Sequence, residues 1–210
     1  MAGFDLESIV ANLLKAREDQ RQYVVAIAGP PASGKSTLSK ALSNHLNGIN
    51  DLRSVVVPMD GFHLDNDRLD DLSLRHRKGA PETFDFNGFA TLLRRLGRSS
   101  QPIYYPTFDR VLDKAIAGKG VVYPEDQVIL VEGNYLLLDV QPWSQLKALF
   151  DHSIFINIPI DVLRSRLIQR WLDLDHTPEE AKARALSNDI PNAALVCDGS
   201  IKADQLMSLD

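Results

Sequence analysis

Cysteine is almost missing from this chain of 210 residues, because Cys197 is the single one. A lone thiol can build neither a disulfide framework nor a cysteine metal cluster, which favours a reducing compartment. Long apolar runs are missing too, since no window reaches the roughly 18 residues that a membrane span needs. Acidic Asp5 and Glu7 interrupt the N-terminus too early for a secretory signal. These absences predict a cytoplasmic protein without a membrane span.

Positive charge is also in deficit, with 23 Lys and Arg against 28 Asp and Glu and a formal net charge of -5. Non-specific nucleic-acid binding needs a basic face, so nucleic acid is not expected as a partner. A small anion held by a few local cations is compatible with this balance. Repeats and linkers are missing as well, and the length suits one core, so we predict a single domain over residues 1–210.

Short apolar runs rich in β-branched residues are the main feature that is present. Four of them predict buried strands, namely "YVVAIAG", "RSVVVP", "QVILVEG" and "HSIFINI", and "QLMSL" predicts a closing strand. Helical patterns separate them, for example "KSTLSKALSNHL", with Leu38, Leu42 and Leu46 on one face. This alternation predicts an α/β fold with a mostly parallel sheet and helices on both faces. Ligands of such sheets bind at the carboxyl ends of the strands.

The remaining segments give weaker patterns. Residues 1–20 predict an amphipathic helix whose apolar face either covers the sheet or joins a second copy in a homodimer. "QPIYYPTFDR" predicts a short, proline-bounded strand at best, and Pro142 begins a predicted helix. "TPEEAKARALSND" predicts a helix with Thr177 as its cap, Pro178 at its first position and Glu180 two residues later.

The segment "GPPASGKST" follows the first strand directly and leads into a helix. Gly29, Gly34, Lys35 and Ser36 fit the phosphate-binding pattern G-x-x-x-x-G-K-[ST]. The backbone N–H groups of such a loop surround phosphates, glycine permits the necessary backbone angles, and the helix N-terminus adds positive potential. The predicted nucleotide site comprises Gly29, Pro30, Pro31, Ala32, Ser33, Gly34, Lys35, Ser36 and Thr37. The alternative is a glycine-rich turn that matches by chance.

Within this loop, we expect Lys35 to face solvent and to reach the β- and γ-phosphates, while the Ser36 hydroxyl binds Mg²⁺. Glu132 ends the third strand and is the predicted Mg²⁺ carboxylate, directly or through water. Its alternative role is to cap a strand end. The guanine-specific N-K-x-D segment is missing, and "DFNG" at residues 85–88 is too short to indicate a GTPase switch. ATP is therefore the expected nucleotide.

Asp60 follows the second strand, in "VVVPMDGFHLDN". A kinase that phosphorylates an alcohol benefits from a carboxylate that takes the hydroxyl proton, whereas a phosphate acceptor needs no base. We expect the strand before Asp60 to adjoin the P-loop strand, which would place its carboxylate across the γ-phosphate. The alternative is a turn aspartate that hydrogen-bonds its own backbone.

Five segments, "GPPASGKST", "MDGFHLDN", "RKGAPETFDF", "YYPTFDR" and "VILVEGNYLLL", occur in this order. Together they resemble the P-loop kinases that include uridine kinase, pantothenate kinase and phosphoribulokinase, over nearly the whole chain from about residue 23. The most similar members are bacterial proteins labelled fructose or sugar transport-system kinases. The resemblance implies ATP and Mg²⁺ as cofactors, and a three-layer fold whose five-stranded parallel core has strand order 2-3-1-4-5.

The resemblance also implies residue roles. Asp60 would be the base or acceptor-orienting residue, and Glu132 would be the Walker B-type acid. A mobile lid over about residues 170–190 would carry arginines. Arg166 and Arg170 lie four apart on one helix face, and one of them would steady the transferring phosphoryl group. Each of the two arginines is equally explained as part of a solvated basic face. If neither acts on the phosphates, the lid cation would come from elsewhere, such as Arg164, Lys182 or Arg184.

Polar side chains that would hydrogen-bond an acceptor follow the same segments. Besides Asp60, the candidates are His63, Arg77, Tyr104, Tyr105, Asp109 and Arg110, and each of these six is equally explained by a structural role. Tyr104 and Tyr105 alternate on a strand, so at most one faces any one pocket. We therefore predict an ATP-dependent kinase that acts on a hydroxyl of a small metabolite: a sugar, a nucleoside or a pantothenate-like alcohol. The alternative is a nucleotide-binding regulatory ATPase beside a sugar transport system.

Overall fold

The computed structural model describes residues 5–17 and 22–208. In chain order they form α1 (Leu6–Arg17), β1 (Tyr23–Ala28), α2 (Lys35–Asn47), β2 (Ser54–Pro58), α3 (Asn66–Asp71), α4 (Phe86–Arg95), β3 (Ile103–Asp109), β4 (Lys114–Val122), β5 (Val128–Gly133), β6 (His152–Asn157), α5 (Ile160–Leu172), α6 (Pro178–Arg184), α7 (Ile190–Gly199) and β7 (Gln205–Ser208). Short 3₁₀ turns connect several of these elements, including Met59–Phe62 directly after β2. In the described ranges, the structure contains no helix with the length and apolar character that crossing a bilayer requires.

A five-stranded sheet lies at the centre, with spatial order β2-β5-β1-β6-β7 and parallel pairing throughout. Counted among these five strands alone, the order is 2-3-1-4-5, which confirms the predicted architecture. The expectation that the strand before Asp60 adjoins the P-loop strand is wrong, because β5 lies between β2 and β1. The position of β2 at the sheet edge also explains why Val55 and Val56 are only partly buried.

Apolar side chains cover both faces of the sheet, as the uninterrupted burial of β1 requires. On one face, Leu38, Leu42 and Leu46 of α2 are fully buried, on the predicted side of their helix. Burial of one such leucine contributes roughly 1.5–3 kcal/mol relative to exposure. Ile9 and Val10 of α1 join the same cluster, so this helix packs its apolar face within the chain. Residues 1–4 and 18–20 of the predicted N-terminal helix lie outside the described residues.

Outside the main sheet, β3 and β4 form an antiparallel hairpin. The prediction of a short strand at best was wrong here, because paired strands on a surface ribbon do not require an apolar run. The hairpin packs against β2 and the turn after it, and Tyr105 donates a hydrogen bond from its hydroxyl to the carbonyl oxygen of Val56 in β2 at 2.8 Å. A Cβ on Gly61 would overlap the Pro106 carbonyl oxygen, so only glycine permits this approach.

Several helix ends differ from the sequence predictions. The helix predicted to begin at Pro142 is present, but it is a 3₁₀ helix, Trp143–Leu149, with Pro142 as its N-cap. The capping box of Thr177 and Glu180 is confirmed, but α6 ends at Arg184 and a π-helical turn, Ala185–Asp189, leads into α7. "DFNG" begins α4, where the Asp85 carboxylate accepts a hydrogen bond from the Gly88 amide at 2.9 Å. That segment is therefore a helix cap and gives no support for a GTPase switch.

Candidate active site

The carboxyl ends of β1, β2 and β5 open into a cavity of about 1100 Å³. Six parts of the chain line it: the loop between β1 and α2, the turn after β2, residues 75–79, the hairpin, the end of β5, and the region from α5 to α7. These parts meet because parallel strands direct their carboxyl ends to the same edge of the sheet. The volume falls at the upper end of the range of small-molecule and cofactor sites.

The loop before α2 has the shape of an anion cradle. Gly34 caps the helix in the left-handed conformation, at φ 97°, and no side chain caps the first turn. The helix N-terminus therefore presents backbone N–H groups where an anion would lie. A Cβ on Gly29 would lie 2.8 Å from the Ile156 carbonyl oxygen and 2.9 Å from Ser33 Oγ, so the loop closes tightly at its start. This geometry fits bound phosphates.

Lys35 is buried in this loop, with 7% of its surface exposed, so the expectation that it faces solvent was wrong. The reason is that the loop curves over its own lysine, whose Nζ donates a hydrogen bond to the Pro30 carbonyl oxygen at 2.8 Å. Burial lowers the pKa of Lys35 to about 8, although the nearby Glu132 carboxylate opposes the shift. An anion bound in the loop would favour the charged ammonium form.

Ser36 and Glu132 bring a hydroxyl and a carboxylate together beside the loop. The Ser36 hydroxyl donates a hydrogen bond to Glu132 Oε1 at 3.0 Å, and Glu132 is buried at the end of β5. Burial raises the pKa of Glu132, while Lys35 and the Ser36 hydrogen bond oppose that shift. A hydroxyl and a carboxylate suit Mg²⁺, which keeps most of its ligands as water and phosphate oxygen. The described part of the chain contains no cluster of three His, Cys, Asp or Glu side chains around a metal position.

Asp60 lies on the other side of the cavity, in the 3₁₀ turn after β2. Its side chain is 32% exposed, and its Oδ2 is 3.4 Å from Arg110 Nη2 on the hairpin. The Asp60 charge acts on both Lys35 and Glu132, so all three belong to one electrostatic site. His63 stacks beside this turn, with its Nδ1 2.9 Å from the Asp60 carbonyl oxygen and its ring near Phe108. Burial lowers the pKa of His63.

Arg166 and Arg170 line the cavity from one face of α5, as their spacing predicts. Arg166 donates a hydrogen bond from Nη1 to the Ala32 carbonyl oxygen of the loop at 3.2 Å. Arg170 lines the same cavity as Lys35, and its charge acts on Lys35, as does that of Arg110. The loop, the turn after β2 and α5 therefore bring Lys35, Asp60 and these arginines together.

Four predicted acceptor residues do not line this cavity. Tyr104 is 65% exposed on the hairpin, and Tyr105 is buried with its hydroxyl bonded to Val56. Arg77 bonds Glu82 at 3.1 Å and Asn188 at 3.0 Å instead of facing the cavity. The alternation of the two tyrosines is confirmed, but neither reaches the cavity that Asp60 lines. Asp109 accepts hydrogen bonds from the Val111 and Leu112 amides and so holds the hairpin turn.

Sequence reasoning missed other cavity residues, among them Lys78, Asp113, Asn134, Asn188 and Asp189. Asn134 follows Glu132 by two residues, so its position at a strand end was a usable signal. No sequence signal marked Asn188 and Asp189, because the π-helical turn that places them at the cavity has no recognisable sequence pattern.

A family model described as the phosphoribulokinase/uridine kinase family matches residues 24–175. The chain belongs to this family. It is therefore an ATP-dependent small-molecule kinase, and the loop between β1 and α2 is its P-loop.

Individual relatives agree with this membership. The uncharacterized protein YggC of Escherichia coli (strain K12) is 34% identical over 197 residues, covering 93% of this chain and 81% of that protein. A proposed uridine kinase of Schizosaccharomyces pombe, C227.14, is 33% identical over 193 residues, covering 88% and 82%. The crystal structure of a proposed fructose transport system kinase from Silicibacter sp. TM1040 is 45% identical with a TM-score of 0.91, covering 97% of this chain and 99% of that one.

Proposed function

We propose that this kinase transfers the γ-phosphoryl group of ATP to a hydroxyl of a small metabolite. The observation that carries the proposal is the position of Asp60, which faces the same cavity as the P-loop but belongs to a separate turn. A carboxylate there suits an alcohol acceptor, whose proton must leave as the new phosphate ester bond forms. Asp60 would take that proton at its carboxylate oxygen, and Arg110 would orient the carboxylate.

The other side chains have separate roles in this proposal. The P-loop amides and Lys35 bind the phosphates, and Arg170 steadies the charge that spreads over the transferring group. Ser36 and Glu132 would hold Mg²⁺, which when bound supplies positive charge against the phosphate oxygens.

The aromatic residues of the cavity favour a polyol acceptor, such as a sugar, over a nucleobase-bearing one. Phe108 has Lys78 Nζ over its ring at 5.1 Å and His63 beside it at 4.9 Å. Trp171 has the Arg184 guanidinium over its ring at 5.0 Å. A nucleobase gains affinity by stacking on an open ring face, and a protein cation already lies over one face of each of these rings.

The test is ADP release from Mg·ATP with and without a panel of sugars, polyols, nucleosides and pantothenate. Acceptor-dependent ADP release, with a phosphorylated product detected by mass spectrometry, supports the proposal. Acceptor-independent hydrolysis that no panel member stimulates contradicts it and supports the regulatory ATPase. The panel also separates acceptor classes, because uridine as the preferred acceptor would contradict the polyol assignment.

Glu132→Gln keeps the shape of the side chain but removes its charge. We expect the rate of transfer to fall by roughly 10²–10³-fold, while the Kd for nucleotide measured without metal changes little. The measurement is the Mg²⁺ dependence of ADP release together with a nucleotide titration. Glu125→Gln, on an exposed turn, is the matched control. A variant with the wild-type rate and Mg²⁺ dependence would show that Glu132 only caps its strand.

Arg170→Ala and Arg166→Ala are expected to have unequal effects. Arg166 bonds a P-loop carbonyl oxygen, whereas the charge of Arg170 acts on Lys35. Arg170→Ala should therefore lower kcat by about 10²–10³-fold, the usual loss for one transition-state donor, and Arg166→Ala should lower it less. Arg164→Ala, exposed on the same helix, is the control. Wild-type kcat in both cavity variants would assign the cation to another residue, such as Arg184.

A further inference from the structure

Lys78 forms a junction between three separate parts of the chain. Its Nζ donates hydrogen bonds to Asn66 Oδ1 at 2.7 Å and to the Asp113 carbonyl oxygen at 2.9 Å, and it pairs with Asp113 Oδ2 at 2.8 Å. Asn66 also donates from Nδ2 to Asp113 Oδ2 at 2.8 Å. Asn66 begins α3, and Asp113 lies in the turn of the hairpin, so one ammonium group fastens the hairpin to the segment after β2.

These contacts leave Lys78 without a free donor. A lysine ammonium has three N–H donors and no acceptor, and three protein oxygens take them here. Only 16% of its side chain is exposed, although it lines the cavity. Asp113 has a left-handed backbone, at φ 50°, which the contacts at its carbonyl and carboxylate oxygens hold in place. Lys78 is therefore suited to hold the hairpin and unsuited to bind a substrate.

The junction is connected to the acceptor side of the site. Lys78 Nζ also lies 5.1 Å from the ring of Phe108, which packs against His63, and His63 bonds the Asp60 carbonyl oxygen. Arg110, which pairs with Asp60, lies between Phe108 and Asp113 on the hairpin. A shift of the hairpin turn would thus move the Arg110 guanidinium relative to the Asp60 carboxylate.

We propose that Lys78 is a positioning residue that sets the distance between the hairpin and the turn carrying Asp60, and so orients the acceptor hydroxyl. This inference rests on the proposed transfer to a hydroxyl. It assigns Lys78 no contact with either substrate. Its effect on the reaction passes through Asp113, Phe108 and Arg110.

The first test is Lys78→Met, which keeps the length of the side chain and removes all three donors. We expect the KM for the acceptor to rise and kcat to fall, with kcat/KM for the acceptor lower by about 10–10²-fold, since small misplacements cost that much in oriented reactions. The KM for ATP should not change, because the P-loop lies outside the junction. Equal losses for both substrates, or none for the acceptor, would overturn the proposal.

A matched control lies on the same hairpin. Lys119 pairs with Asp109 at 3.4 Å, with 52% of the lysine side chain exposed, and it lies away from the cavity lining. Lys119→Met should retain the wild-type KM for both substrates. Lys78→Arg keeps a charged donor with a different geometry and should recover part of the loss. Adding Asp113→Asn to Lys78→Met should cost little more, because the ion-pair partner of Asp113 is already gone and an asparagine oxygen can still accept the hydrogen bond from Asn66.

Hydrogen exchange tests the junction without an acceptor. Lys78→Met should increase exchange of the backbone amides over residues 103–122 and around residues 59–62, while the P-loop amides keep their wild-type rates. Unchanged exchange in the hairpin would overturn the proposal even if activity falls. If the wild type phosphorylates no panel member, the proposed function fails, and the exchange comparison still decides whether Lys78 fastens the hairpin.

Discussion

Asp60→Asn is expected to slow phosphoryl transfer to the acceptor by about 10²–10⁴-fold, the usual contribution of a general base. The amide keeps the size of the carboxylate and its ability to accept a hydrogen bond from Arg110, but it cannot take a proton. The affinity for ATP should change little, because Asp60 lies in the turn after β2 and contributes no atom to the P-loop. Transfer rates and a nucleotide titration on both proteins measure the two effects.

The fold should tolerate this substitution. Asp60 is one-third exposed, and its side chain makes one long contact, 3.4 Å to Arg110, so little stability depends on it. Asp65→Asn is the matched control, because Asp65 caps α3 five residues further on and asparagine caps helices equally well. It should leave transfer and thermal stability near wild type.

The same substitution separates the two classes of function. A regulatory ATPase without an acceptor should hydrolyse ATP equally well with Asn at position 60. Unchanged transfer would leave Asp60 as a turn residue, and equal losses of transfer and nucleotide affinity would make it part of the metal environment. Only a selective loss of transfer supports a base.

The parts of the site that could be predicted depend on local sequence. "GPPASGKST" follows a buried strand and precedes a helix, so a few neighbouring residues determine the loop. Glu132 was identifiable because it ends an apolar strand beside a predicted phosphate site. Asp60 reached the cavity although β2 does not adjoin β1, since all parallel strands of a sheet end at one edge.

The acceptor side was less predictable because it depends on contacts between distant segments. Lys78 meets Asp113 only after the hairpin folds back, and no pattern in "KAIAGKGVV" indicates the strand that makes this possible. Arg77 was expected in the cavity, but its guanidinium instead donates a hydrogen bond to Asn188 on the π-helical turn. Such pairings join residues that are far apart in sequence, and tertiary packing decides them.

Lys35→Met is expected to reduce transfer by at least roughly 10²–10³-fold at saturating Mg·ATP, because the missing ammonium leaves the phosphate oxygens without their buried cation. Methionine preserves much of the apolar stem that the loop encloses. Since burial of the charged group lowers the pKa of Lys35 to about 8, removing that charge relieves a cost of folding. The variant should therefore unfold at the same temperature as wild type or a higher one.

This combination of a large loss of activity with no loss of stability distinguishes a phosphate ligand from a structural lysine. A lysine that serves the fold through its bond to the Pro30 carbonyl would lower the unfolding temperature when it is replaced. Lys40→Met, on the exposed side of α2, is the control and should change neither quantity. Wild-type transfer by Lys35→Met at saturating ATP would contradict the assignment of the loop as a phosphate site. A fall in both activity and stability would mean that Lys35 supports the structure of the loop and that the backbone amides alone bind the phosphates.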